Sequence, residues 1–168
     1  MGSDPPPEVL VLATERLWQV ADLLKRWPTN AGMSKTDSWI GVPRQPGART
    51  LTPAFVADTT SDDTVSGRVT FTRFYLGGAG AVHGGAIPLL FDQVLGGLVN
   101  TPKNGQTRTA YLNVNFRQIT PIGSELELDG SIDRQDGRKL YVSARLRQGE
   151  QLLADAEGLF VVLRPNQP

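Results

Sequence analysis

A two-residue alternation of apolar and polar side chains runs through most of the second half of the chain and limits the folds open to it. It is clearest over residues 108–118, 124–134, 138–148 and 151–163. This period is typical of strands with one buried and one solvated face. Asp136-Gly137 and Gly149-Glu150 separate the last three segments and are typical of tight hairpins. The sequence therefore predicts a meandering antiparallel sheet.

Two further strands and one central helix complete this region. Residues 65–75 alternate in the same way, and residues 51–57 are a weaker strand candidate. Apolar residues recur at helical spacing over residues 85–100, at Ile87, Leu90, Phe91, Val94, Leu95 and Leu98. One long helix set against five or six antiparallel strands is α+β architecture.

The first 50 residues have a different character. Apolar residues at helical spacing over residues 8–27 predict an additional N-terminal helix. Its polar face mixes both charge signs, so an accessory helix is favoured over a membrane anchor. Residues 28–50 are rich in Pro, Gly, Ser and Thr, which indicates a connection that could cover a binding cleft or serve as a simple linker. We expect an N-terminal segment, residues 1–50, and one main domain, residues 51–168.

Composition excludes several classes of chemistry. Lys plus Arg equals Asp plus Glu at 17 each, so no global field favours nucleic acid or an anionic bilayer. The chain has no cysteine and one histidine, which argues against disulfides, thiolate catalysis and a zinc-type metal site. It has no apolar run of the ~20 residues needed to span a bilayer. These features predict a cytoplasmic protein without a metal or cofactor.

A glycine-rich segment, residues 77–85, leads from a predicted strand into the central helix. No Ser, Thr, Asp or Asn occupies the N-cap position, so the first amides are expected to remain available. Free amides at a helix N-terminus suit a developing oxyanion. The alternative is that the glycines only make a tight entry into the helix.

Asp92 lies two turns inside that helix, on the face that also carries Gly85, Pro88 and Gly96. Small residues beside an acid allow a second backbone to approach closely. If a second subunit covers this face, Asp92 becomes a partly desolvated carboxylate able to activate water or attack a carbonyl. His83 is given a supporting role, since a lone histidine at such a corner is more often structural.

The strand after the helix is expected to offer a polar face. Strict alternation places Thr109 on that face and an apolar series on the core face. The polar face comprises Thr109, Tyr111, Asn113, Asn115 and Arg117, and the core face comprises Ala110, Leu112, Val114 and Phe116. The Thr109 hydroxyl is a candidate to orient water or the acid.

Taken together, these motifs resemble the PaaI-like branch of the hotdog-fold acyl-CoA thioesterases. The resemblance covers about Val65 to Arg164 and rests on several motifs in order. They are Val82-His83-Gly84-Gly85-Ala86-Ile87, Asp92, Thr109-Ala110-Tyr111-Leu112-Asn113-Val114-Asn115-Phe116, Pro121-Ile122-Gly123 and Gly137-Arg138-Lys139.

The resemblance implies a hotdog fold, in which the sheet wraps the central helix and two subunits pair with each active site between them. Gly84 would donate its amide to the thioester carbonyl, and Asp92 would be general base or nucleophile. Thr109 would act from the neighbouring subunit. Gly85 and Asn113 are candidate substrate contacts. The resemblance also implies a homodimer, which could pair into a dimer of dimers.

The Gly-Arg-Lys motif resembles a segment near the coenzyme A nucleotide, so Arg138 and Lys139 become candidate phosphate contacts. The sequence departs from the family upstream of the histidine. Many relatives carry Asn or Gln there to position water, whereas this chain has only Gly and Ala at residues 77–81.

The leading hypothesis is a hydrolase that converts acyl-CoA thioesters to a carboxylic acid and coenzyme A. The coenzyme A is then part of the substrate, and no other cofactor is needed. The alternative is a non-catalytic protein that binds acyl-CoA or another lipid. A third hypothesis is an assembly subunit with no ligand.

Overall fold

A computed structural model of the chain describes residues 5–25 and 51–164. The chain divides into two compact units, and the division falls within residues 26–50. The expectations for the end of the first helix near residue 27 and for the connection at 28–50 lie outside the described residues. The domain boundary at residue 50 stays a prediction.

The N-terminal unit contains α1, which spans Pro7–Lys25. Proline is well suited to the first helical position, because its fixed φ is helical and its missing N–H would have no partner there. Glu8 places a negative charge in the first turn, where the helix dipole favours it. The predicted N-terminal helix is therefore confirmed.

The main unit is built on a six-stranded sheet in which every neighbouring pair is antiparallel. The strands are β1 (Phe55–Thr60), β2 (Thr64–Thr70), β3 (Thr107–Phe116), β4 (Glu125–Asp136), β5 (Lys139–Gln148) and β6 (Gln151–Val162). Their order is β1-β2-β4-β5-β6-β3. The predicted α+β architecture is confirmed, and the weaker candidate over residues 51–57 corresponds to an edge strand that begins only at Phe55.

The two predicted hairpins are also confirmed. Asp136 pairs with Lys139, and Gln148 pairs with Gln151, so each loop contains two residues. The first residue of each loop is a glycine with φ of 55°. Because only glycine adopts this conformation without a steric penalty, the sequence alone marks both turns.

The central helix α2 spans Ala86–Val99 and packs against β2, β3, β4, β5 and β6. All six predicted apolar positions of this helix are buried, and Leu90, Phe91 and Leu95 have no exposed surface. They form one core with apolar side chains of the sheet, including Leu126, Leu128, Leu140, Leu146 and Phe160. Burial of this stripe fixes which face of α2 points away from the sheet.

Two details of the strands differ from the predictions. The strand predicted over residues 65–75 ends at Thr70, and Arg73–Tyr75 forms one 3-10 turn. The turn places the ring of Tyr75 against the core, where it packs edge-on to Phe71 with centroids 5.8 Å apart. Arg73 is exposed, so the apparent alternation beyond Phe71 does not represent a strand.

The predicted core face of β3 is only partly covered. Leu112 and Val114 are half-buried, whereas Ala110 and Phe116 are exposed. The reason is the position of β3 at the edge of the sheet, where the core of a single chain ends. The strand was predicted correctly, but the burial of its apolar side chains was overestimated.

Candidate active site

Asp92 and Thr109 form a hydrogen-bonded pair. The Thr109 hydroxyl donates to Asp92 Oδ1 at 2.8 Å, which connects α2 to the first half of β3. Both residues are exposed in the single chain. A hydroxyl that donates to a carboxylate fixes its orientation and leaves the second carboxylate oxygen available to another donor.

A β-bulge at Ala110 turns Thr109 towards Asp92. Thr109 pairs with Phe160, but Tyr111 pairs with Leu159, so β3 has one extra residue at this point. Phe160 is buried in the core beneath α2, and its partner Thr109 shares that face. The bulge therefore reverses the alternation and corrects the expectation that Thr109 lies on one face with Tyr111.

Asn113, predicted as a substrate contact, lies on the opposite face of β3 from Thr109. Its cross-strand partner is the exposed Glu157, whereas the adjacent Leu112 pairs with the buried Gly158. The side chain of Asn113 therefore points away from α2 and Asp92. The structure does not bring this predicted residue together with the acid.

The glycine-rich segment is held in place by backbone hydrogen bonds. His83 N–H donates to Tyr75 O at 2.7 Å, and Val82 N–H donates to Thr120 O at 2.9 Å. Gly77 N–H donates to Ala81 O at 2.7 Å. The entry to α2 is thus connected on one side to the end of the 3-10 turn and on the other to the segment before β4.

His83 uses one of the amides that were expected to be available. Gly85 N–H donates to His83 Nδ1 at 3.0 Å. Because a backbone amide can only donate, Nδ1 must be the unprotonated ring nitrogen, and the proton of the neutral imidazole lies on Nε2. The expectation that the first amides remain available is therefore wrong for Gly85, whose amide fixes the orientation of the imidazole.

Gly84 keeps its amide available. Within residues 5–25 and 51–164, no acceptor receives a hydrogen bond from Gly84 N–H. A side chain at this position would have open space, since the nearest atom to an added Cβ would be Phe116 Cζ at 4.0 Å. Phe116 is 55% exposed. The apolar ring of Phe116 therefore borders the Gly84 amide, although the alternation of β3 had predicted that this ring lies in the core.

The acid and the donors are separated along α2. Asp92 lies six residues after Ala86, the first residue of the helix, which corresponds to about 9 Å along the axis. A catalytic base must lie within about 3 Å of the proton that it removes, or reach it through one water. Asp92 and Gly84 of the same chain are therefore too far apart to act on one carbonyl group.

Segment 77–81 has no polar side chain, and Gly77 is a position where a side chain is hard to accommodate. A Cβ on Gly77 would lie 2.9 Å from His83 Cα and 3.0 Å from His83 N. Such distances require the backbone to move. The local backbone therefore excludes a side chain at Gly77, whereas an added Cβ at Gly78 would have open space.

Arg138 and Lys139 lie at the same end of the sheet as Thr109. Arg138 Nη1 donates to Val162 O at 2.8 Å, and Lys139 is exposed at the start of β5. Arg108 occupies the same cross-strand row as Lys139, two strands away or about 10 Å. Arg108 was not among the phosphate contacts predicted from the sequence, although it directly precedes Thr109.

The described ranges contain no group of three His, Asp or Glu side chains arranged to hold a metal ion. They also contain no helix that is both long and apolar enough to cross a membrane. A cavity of about 160 Å³ lies at the C-terminal end of α2. It is smaller than a typical ligand pocket of about 300–1,000 Å³ and does not include Asp92.

Comparisons with known proteins identify the family. The Thioesterase superfamily model matches residues 79–154. Over 96 residues the chain is 35% identical to acyl-coenzyme A thioesterase THEM4 of Bos taurus, covering 55% of this chain but only 39% of that protein. The chain thus spans well under half of the length of this curated relative.

Solved structures agree. A crystallised thioesterase superfamily protein has a TM-score of 0.72 and 30% identity, covering 95% of this chain and 86% of its own. A Streptococcus mutans protein bound to acetyl CoA has a TM-score of 0.63 and 20% identity, covering 72% and 97%. The resemblance inferred from the motifs is confirmed: the chain belongs to the thioesterase superfamily and has the hotdog fold.

Proposed function

We propose that this protein hydrolyses acyl-CoA thioesters to a carboxylic acid and coenzyme A. The hydrogen bond between Thr109 and Asp92 carries the proposal, because it holds an exposed carboxylate in one orientation on the helix face that points away from the core. Relatives named acyl-coenzyme A thioesterases support the substrate class. The acetyl CoA bound to a protein of the same fold supports it further.

Asp92 acts as general base on water or as the nucleophile. As a base, Asp92 takes a proton from water as that water adds to the thioester carbonyl, and returns it to the thiolate when the C–S bond breaks. As a nucleophile, the carboxylate adds to the carbonyl and the C–S bond breaks, which leaves a mixed anhydride on Asp92 and a coenzyme A thiolate that takes a proton from solvent. Water then hydrolyses the anhydride and restores Asp92. Gly84 N–H donates to the oxyanion that develops on the carbonyl oxygen. His83 offers Nε2–H as a second donor, held in that tautomer by Gly85. Gly85 thus contributes through the imidazole.

A complete site needs two subunits. Because Asp92 and Gly84 of one chain are about 9 Å or more apart along α2, each must work with the opposite group of a second copy. Among the described strands, β3 pairs only with β6 and offers its other edge for pairing with another β3. We propose a homodimer in which Asp92 and Thr109 of one subunit face His83 and Gly84 of the other, with a dimer of dimers as a larger assembly.

The proposed dimer gives Thr109 a definite place. The resemblance implied that Thr109 acts from the neighbouring subunit; in the proposal it stands opposite Gly84 of the other subunit and on the same subunit as Asp92, to which it donates a hydrogen bond within one chain. Arg138 and Lys139 are proposed contacts for the phosphates of coenzyme A, and Arg108 extends this cationic end of the sheet. Asn113 has no proposed role in the reaction, because it faces away from α2.

A second candidate function is a non-catalytic acyl-CoA or lipid binder. The absence of a polar side chain at residues 77–81, where many relatives position water, favours it. Incubation with a panel of acyl-CoAs, with released thiol as the readout, separates the two functions. Binding of acyl-CoA without thiol release would support the binder and contradict the hydrolase.

Replacement of Asp92 tests the mechanism. Asp92→Asn keeps the shape of the side chain but cannot accept a proton, so kcat is expected to fall by about 10²- to 10⁴-fold. Asp62→Asn is the matched control, because Asp62 is exposed in the turn between β1 and β2. Light scattering should show that both variants keep the assembly of the wild type. Wild-type rates for Asp92→Asn on every accepted thioester would exclude the mechanism.

A further inference from the structure

Asn100 joins the end of α2 to the start of β3. Its Nδ2 donates to Gly96 O at 2.7 Å, and its backbone N–H donates to the same oxygen at 3.1 Å. Its Oδ1 accepts two hydrogen bonds from Thr107, from the amide at 2.7 Å and from the hydroxyl at 3.1 Å. One amide side chain therefore binds both elements of the candidate active site.

Because Thr107 is buried, its hydrogen bonds to Asn100 form at only one position of β3 along α2. Thr107 is only 4% exposed, so neither its amide nor its hydroxyl can exchange Asn100 for bulk water without movement of the strand. A shift of β3 along α2 by one residue, about 3.4 Å, would break both hydrogen bonds to Asn100. The link therefore sets the register of β3 against α2.

The same register determines the Thr109–Asp92 distance. Thr109 lies two residues after Thr107, and the bulge at Ala110 follows directly after Thr109. Asp92 lies two turns before Asn100 on the same helix. Because the Thr109 hydroxyl and Asp92 are joined at 2.8 Å, a small displacement of β3 would lengthen this bond. Displacements of about 1 Å can lower catalytic rates by about 10²-fold.

We propose that Asn100 is a positioning residue that aligns Thr109 with Asp92 through Thr107. The inference rests on the proposed thioesterase function and adds a residue that touches neither substrate nor the reacting atoms. It also gives the loop between α2 and β3 a role in the register of the site. Asn100 acts entirely through the acid and the hydroxyl that it aligns.

The matched control is Asn104, which also supports the end of α2. Asn104 Nδ2 donates to Val99 O at 3.1 Å, but no hydrogen bond links its side chain to β3 within the described residues. Asn100→Ala is expected to lower kcat by about 10- to 100-fold with KM within about twofold. Asn104→Ala should weaken stability without a comparable fall in kcat. Equal losses of kcat in the two variants would overturn the inference.

A double-mutant cycle separates positioning from general damage. In a Thr109→Val background the hydroxyl to be aligned is missing, so Asn100→Ala should lower kcat by less than about threefold further. If Asn100→Ala lowered kcat in the Thr109→Val background as much as it does in the wild type, the inference would be contradicted. If Asn100→Ala does not fold, Thr107→Val removes one of the two bonds to Asn100. It should lower kcat at unchanged KM, and wild-type kcat would overturn the inference.

The two proposals fail in different ways. Loss of activity in Asp92→Asn with full activity in Asn100→Ala and Thr107→Val would refute only the positioning role. Full activity in Asp92→Asn would refute the proposed mechanism, whatever the Asn100 variants show. Parallel assays of the three variants on one acyl-CoA distinguish these results.

Discussion

Removal of the Thr109 hydroxyl is the sharpest test of the geometry. Thr109→Val keeps the branched shape that suits β3 but deletes the donor that holds Asp92 Oδ1 at 2.8 Å. The carboxylate then loses its fixed orientation, and the Asp92 oxygen that accepts the proton is correctly placed for a smaller fraction of the time. We therefore expect kcat to fall, and KM to stay close to that of the wild type, because the proposed substrate contacts at Gly84 and at the cationic end of the sheet are unchanged.

The magnitude follows from the charge on the acceptor. Hydrogen bonds to charged groups contribute about 1.5–3 kcal/mol. If the whole of that energy is lost in the transition state, kcat falls by about 10- to 150-fold, at about 1.4 kcal/mol per factor of ten. Both side chains are exposed in a single chain, so the upper end of this range requires that a second subunit excludes water.

The assay measures released thiol during turnover of one accepted acyl-CoA, with kcat and KM determined separately. Thr109→Ser is the matched control, because it keeps the hydroxyl and loses only a methyl group. It should retain kcat within about threefold of the wild type, since substitutions at exposed sites usually change free energies by no more than about 0.5 kcal/mol. Urea unfolding of each variant checks that stability is preserved.

Two results would refute this reasoning. Thr109→Val with kcat within twofold of wild type would show that the hydrogen bond does not contribute to the rate. Equal losses in Thr109→Val and Thr109→Ser would show that packing at this position matters more than the hydroxyl.

Three further predictions test other parts of the structure. Gly85→Ala would place a Cβ 3.2 Å from His83 Nδ1, so we expect the imidazole to shift and kcat to fall by about three- to tenfold, measured by thiol release. The hydrogen bond from Arg117 lowers the pKa of Asp155, so the pair stabilises the fold above the unfolded pKa near 3.9 and loses this effect as pH falls through the lower folded pKa. Arg117→Ala should therefore lower the free energy of unfolding at pH 7, and urea titrations should show the difference from wild type shrink as pH falls below the unfolded pKa. Phe91→Ala, at a position with no exposed surface, should lower that free energy by about 3–5 kcal/mol in chemical denaturation.

Local sequence determined most of the architecture. The alternation over residues 124–163 predicted three strands, because side chains that point to opposite faces must match a core and a solvent. Gly137 and Gly149 marked the hairpins, since their backbone conformation is costly for other residues. The apolar stripe of α2 predicted its buried face and, by exclusion, the face that carries Asp92. The ordered motifs also identified the thioesterase superfamily.

Contacts between distant residues decided the site. The bulge at Ala110 depends on how β3 pairs with β6, some 50 residues later, and one extra residue reverses every side chain that precedes it. Strict alternation from the sequence therefore placed Thr109 on the wrong face. Asn100 carried no signal of its own, because its role depends on where Thr107 lies in space. Periodicity is a property of neighbouring residues, whereas register is a property of the strands and helices that they meet.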